Sequence, residues 1–85
     1  MSREQGIMAA RPSATVDVRD MVCAQALAVV ARAVAALAVG QAADILYNAE
    51  DVRQDLVSWA RDRGHAVQER EGEPATLRMT RCPTR

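Results

Sequence analysis

Between Met21 and Val39 only Gln25 and Arg32 interrupt an otherwise apolar run, and so short a chain has few ways to hide it. The run is about as long as a membrane span or a signal-peptide core. The Ala38-x-Gly40 and Gly40-x-Ala42 pairs even imitate a cleavage site. Arg32 argues against both, because a charge at mid-membrane costs roughly 2.5–3.5 kcal/mol on insertion scales. Cleavage near Ala42 would also leave a remnant lacking the first strand and helix expected below. What remains is a helix laid on a sheet. Leu27, Val30, Val34 and Leu37 recur at helical spacing within Ala24–Leu37, and the flanking positions are mostly alanine, so the helix can lie close to its support. Gly40 is read as the stop.

The residues around this helix supply the sheet. Thr15–Arg19 alternates, with Val16 and Val18 on one face, and Ala43–Tyr47 is a second candidate strand. Asn48 is expected to cap a second helix with Glu50 and Asp51 in its first turn, where negative charge is favoured. Val52, Leu56, Trp59 and Ala60 form its buried stripe, and Gly64 ends it. Ala66–Glu71 and Ala75–Arg81 read as a hairpin about Glu71-Gly72-Glu73-Pro74. In the last strand Ala75, Leu77 and Met79 face one way and Thr76, Arg78 and Thr80 the other. The expected architecture is α+β: a two-layer β-α-β-α-β-β sandwich, with a four-stranded mixed sheet carrying both helices on one face. The other sheet face is left to solvent or to a partner. Residues 1–13 are read as a disordered lead-in, 14–81 as the domain and 82–85 as a tail.

With 85 residues, the chain makes one small domain that buries roughly two-thirds of its unfolded surface. Eleven basic and eleven acidic residues balance, with no block of one sign. That disfavours direct nucleic-acid binding or an anionic-membrane binder, which need a concentrated basic face. Cys23, Cys82 and the single His65 cannot assemble the usual four-ligand zinc site in a monomer. Two cysteines are too few for a disulfide framework, and a reducing cytoplasm fits them best.

Cys23 is the position that carries chemistry. It lies where the first strand has ended and the apolar helix begins, so the unpaired N–H groups of a helix start and its dipole favour an anion there. A thiol so placed is expected to ionise more readily, and the thiolate is the reactive form. The stretch Asp17-Val18-Arg19-Asp20-Met21-Val22-Cys23-Ala24-Gln25-Ala26 resembles the D-x-x-G-x-x-C-P-x-P signature of TusA-like sulfur carrier proteins. Gly40, Asn48-Ala49-Glu50-Asp51 and Trp59-Ala60-Arg61-Asp62-Arg63-Gly64-His65-Ala66-Val67 extend the resemblance over about residues 14–81.

The resemblance implies a carrier that accepts sulfane sulfur as a persulfide on Cys23 and relays it without metal or organic cofactor. It implies a donor protein such as a cysteine desulfurase or a rhodanese. The acceptor protein would serve tRNA thiolation, molybdenum-cofactor maturation or sulfur oxidation. Asp17, at the motif aspartate, is expected to shape the loop rather than react. Three positions depart from the signature: Asp20 replaces its glycine, and Ala24 and Ala26 replace its prolines. Asn48-Ala49 also replaces an acidic pair and proline common before the second helix. Proline at a helix start fixes how the cysteine is presented, whereas alanine lets the helix begin earlier and adds an N–H near the sulfur. Asp20 is expected to oppose ionisation of Cys23. The alternative reading is therefore a binding or regulatory module with a structural Cys23. Cys82 is read as an exposed spectator thiol unless the tail folds back to make it a resolving partner, His65 as a surface residue and Trp59 as core. Arg78 and Arg81 are read as surface charge or a docking patch.

Overall fold

The computed structural model describes residues 13–70 and 72–83. Its elements run β1 (Ala14–Asp17), α1 (Cys23–Ala35), β2 (Ala42–Leu46), α2 (Glu50–Arg63), β3 (Ala66–Arg70) and β4 (Thr76–Thr80). The sheet order is β1-β2-β4-β3. β1 and β2 are parallel, and β4 lies antiparallel to both β2 and β3. The expected two-layer α+β architecture is therefore the observed one. The first twelve residues of the expected lead-in lie outside the described residues. Ser13, its last residue, lies just before β1 and is tied to β2, donating its backbone N–H to Ala42 O at 2.7 Å.

Register explains how the sheet divides its faces. Val16 pairs with Ile45, Ile45 with Leu77 and Leu77 with Glu69, while Met79 pairs with Ala43 and Val67. Paired residues share a face, so Ala43, Ile45, Leu77 and Met79 point together at the helices, and all are fully buried. From α1 they meet Ala26, Val30 and Val34, from the turn after it Leu37, and from α2 Val52, Leu56 and Ala60. Each of the larger aliphatic side chains so buried contributes roughly 1.5–3 kcal/mol relative to exposure. Leu27, expected within the α1 stripe, is only half-buried, and Ala26 takes the innermost place. Alanine there brings the start of α1 close to the core.

On the opposite face Asp44 and Arg78 sit opposite each other in register. Arg78 donates Nε to Asp44 Oδ1 at 2.7 Å and Nη2 to Oδ2 at 3.0 Å, a bidentate pair that matches guanidinium to carboxylate geometry. Arg78 is thus engaged within the sheet.

The helix ends follow different rules. Gly64 takes a left-handed φ of 81° and closes α2, with His65 N–H reaching Ala60 O at 2.8 Å, as expected from its freedom at positive φ. α1 stops at Ala35, two residues short of expectation, and Gly40 lies beyond in the turn leading to β2. The terminator is distant in sequence. Arg81 Nη1 donates to Ala35 O at 2.8 Å and to Leu37 O at 2.5 Å, occupying carbonyls that a helix end leaves unpaired. Arg81 accordingly caps the end of α1.

Candidate functional site

Because β1 and β2 are parallel, the two helices that follow them start at the same end of the sheet. α1 begins at Cys23 itself, with Val22 as an extended N-cap residue that makes no side-chain cap bond. The first helical bond runs from Ala26 N–H to Val22 O at 2.9 Å. With alanine at 24 and 26, the sequence imposes no proline at this start. Cys23 is half-buried, packs against the core and is a free thiol.

The loop from β1 to Cys23 is built by its own polar groups. Asp17 accepts the backbone N–H of Arg19 at 3.0 Å and the Arg19 guanidinium at 3.0 and 2.8 Å. These bonds, first from the side chain and then from the backbone of Arg19, lower the Asp17 pKa to about 2. Asp20 then takes a left-handed φ of 67°, a conformation that glycine adopts without penalty and aspartate tolerates better than most residues.

Asp20 is held there by Asn48. Its backbone N–H donates to Asn48 Oδ1 at 2.9 Å, and Asn48 Nδ2 donates back to Asp20 Oδ1 at 2.8 Å. Asn48 is therefore not the cap of α2. The N-cap position belongs to Ala49, which has no side-chain bond to offer, and Glu50 and Asp51 supply the favourable negative charge in the first turn.

The electrostatics around Cys23 overturn one expectation and relocate another. The thiol pKa is raised to about 11 rather than lowered by the helix start. The main cause is a hydrogen bond to the Asp55 carboxylate, followed by partial burial and the negative charges of Asp51 and Asp55. Asp20, the expected source of that opposition, is turned to Asn48. Asp51 and Asp55 are one helical turn apart on α2, so both face the same neighbour. Nearby carboxylates outweigh the partial charge of a helix end at this sulfur. Sequence reasoning placed Asp51 in the first turn of α2, but it missed the approach of Asp51 and Asp55 to Cys23. Their i, i+4 spacing beside the buried Val52–Leu56 stripe was the available signal.

The second thiol lies elsewhere. Cys82 follows β4 at the end of the sheet where β2 begins, whereas Cys23 adjoins the end where β2 finishes. The two do not form a resolving pair within one chain. Cys82 N–H donates to His65 Nδ1 at 3.2 Å, so His65 is half-buried with a partner rather than a bare surface residue. Burial, then the charges of Arg81 and Arg63, lowers the His65 pKa, and the neutral ring carries its proton on Nε2. Trp59 is half-buried at this rim rather than central, with the Arg63 guanidinium 5.5 Å from its ring centre and His65 at 5.7 Å. Among the described residues no cluster of three His, Cys, Asp or Glu side chains is placed to hold a metal ion. No described helix is long and apolar enough to cross a membrane.

The geometry of strand, loop, cysteine and helix can be set beside known proteins. The family model for Sulfurtransferase TusA matches residues 14–81. The chain belongs to the TusA family. Its fold is that of the crystal structure of a SirA-like protein from Desulfitobacterium hafniense, with a TM-score of 0.66 at 24% identity over 79% of this chain and 92% of that one. No individual curated protein matches the chain significantly. Family membership supports a role in sulfur transfer with other proteins, and within the TusA match Cys23 stands at the start of α1.

Proposed function

We propose that the protein is a sulfur carrier in which Cys23 accepts sulfane sulfur as a persulfide and hands it to an acceptor protein. The observation that carries this reading is the place of Cys23: the first residue of α1, half-exposed, at the end of a TusA-family loop. The donor is a protein persulfide, of the kind formed by a cysteine desulfurase or a rhodanese, and a reducing cytoplasm suits the free thiol. In the loading step the Cys23 thiol proton passes to solvent or to the Asp55 carboxylate, and the sulfur attacks the terminal sulfur of the donor. A new sulfur–sulfur bond forms on Cys23 while the bond in the donor breaks. The donor leaves as a thiolate and takes up a proton. The exchange needs no external oxidant or reductant.

The raised pKa means that the resting thiol is protonated at neutral pH, whereas the thiolate is the attacking form. A donor that brings positive charge to Asp51 and Asp55 would release it. The same observation favours a second reading, a binding or regulatory module in which Cys23 is structural. Sulfur loading separates the two. After incubation with a cysteine desulfurase and cysteine, intact-mass spectrometry should show one added sulfur atom on wild type and on Cys82→Ala, and none on Cys23→Ala. A wild-type protein that stays unloaded, or a Cys23→Ala variant that loads equally, rules the carrier reading out.

A further inference from the structure

Asp20 and Asn48 are 28 positions apart in sequence, yet they exchange two hydrogen bonds across the gap between the β1–α1 and β2–α2 loops. One loop ends three residues later at Cys23, and the other leads into the helix that carries Asp51 and Asp55. Asp20 holds a left-handed backbone conformation that a non-glycine residue keeps only where its surroundings impose it, and Asn48 bonds both its backbone and its side chain. Asn48 does so instead of capping α2, whose N-cap has no side-chain bond.

We propose that Asp20 and Asn48 are the positioning pair of this site: their reciprocal bonds tie the loop that delivers Cys23 to the loop that opens α2, and so hold the Cys23 sulfur beside Asp51 and Asp55. The proposal rests on Cys23 being the reactive sulfur. It assigns the orientation of that sulfur to two residues from separate loops, in a chain whose helix start carries no proline. The charged groups about the site are then sorted: Arg19 is held by Asp17, Asp20 by Asn48, and among the described residues Asp51 and Asp55 are the charged groups that act on the thiol.

The test is the pH profile of Cys23 alkylation by iodoacetamide, measured on the full chain carrying Cys82→Ala. Asn48→Ala removes the tie and should move the profile to lower pH. The rate at mildly alkaline pH should rise about threefold for every pH step of one by which the profile moves, because nucleophilicity falls as basicity falls. Asp20→Asn keeps both bonds, since its amide oxygen still accepts, and should leave the profile near that of wild type. Asp20→Gly removes the side-chain half of the pair and should move it as Asn48→Ala does. An unchanged profile in Asn48→Ala overturns the proposal. So does an Asp20→Asn displacement as large as that of Asn48→Ala, which would make charge, not position, the agent.

If Asn48→Ala does not fold, Asn48→Asp sets two carboxylates against each other. The exchanged pair Asp20→Asn/Asn48→Asp rebuilds both bonds and should restore the profile that the single change disturbs. Failure to restore it counts against the pair. These measurements do not depend on sulfur loading, so an unloaded wild type would remove the carrier role while the profile still judged the positioning pair.

Discussion

The two ends of the sheet make a comparison within one small fold. At one end α1 and α2 both begin, and Glu50, Asp51 and Asp55 collect there. At the other both helices finish, and Arg81, Arg61 and Arg63 collect there. On α2 the charges complement the helix dipole as expected, acids at the start and cations at the stop, whereas the first turn of α1 holds no acid. Each end also holds one free cysteine. The consequence differs because Cys23 lies among the acids that stabilise the start of α2. The carboxylates favourable to the helix are the ones that hold the thiol in its protonated form. Fold stability and sulfur reactivity are therefore opposed at that end, while at the other end Arg81 satisfies the carbonyls of Ala35 and Leu37.

The strongest way to break this comparison is to neutralise the acids. Asp55→Asn and Asp51→Asn should each raise the rate of Cys23 alkylation at mildly alkaline pH, with Asp55→Asn giving the larger effect because its hydrogen bond is the leading cause of the raised pKa. The pair together should give about a tenfold increase if the thiol returns to the ordinary cysteine range. Cys82 alkylation should not change. The sign for stability follows from the raised native pKa. The thiol contributes stability that is fully present below its unfolded pKa and is lost as pH rises towards about 11. Chemical denaturation across that alkaline window should therefore show a decline in wild type that Cys23→Ala lacks. Equal alkylation rates in wild type and the double variant would refute the electrostatic account.

A smaller effect is expected at the basic end. Arg81→Ala leaves the carbonyls of Ala35 and Leu37 without their donor and should lower stability by about 1 kcal/mol, the usual net value of such bonds. Thermal unfolding would measure it. The Cys23 alkylation profile should stay where it is, and a displacement there would show that the two ends are coupled.

These contrasts mark what a linear reading reaches. The element order, the two faces of β4 and the span of α2 were legible because periodicity and Gly64 are local signals. The boundary of α1 was not, since alanine and valine carry no stop and the terminating side chain is Arg81, 46 positions from Ala35. Cys23 could be placed at a helix start from sequence, but its chemistry could not. Asp55 approaches it only through the packing of α2 beside α1. Asn48 misled for a similar reason: a residue well suited to cap the next helix found a stronger use against Asp20, two bonds for one. Local preference named the right residue types, and tertiary contact decided their partners.

The smallest effect separates the loop's internal turn from the tie to α2. Asp17 and Arg19 are both exposed, and exposed ion pairs contribute little in ordinary salt, but the depressed pKa of Asp17 gives the pair a signature in acid. A carboxylate with native pKa of about 2 contributes stability that is present above its unfolded value and disappears as pH falls through about 2. Arg19→Ala removes the guanidinium bonds and leaves the backbone one, so it should move the onset of acid unfolding slightly upward. Asp17→Asn should remove this group's contribution to the acid limb entirely. Circular dichroism during acid titration would record both. Because Asp17 acts within its own turn, neither change should move the Cys23 alkylation profile as Asn48→Ala does. An equal movement would mean that the whole loop, rather than the Asp20–Asn48 pair, sets the place of the sulfur.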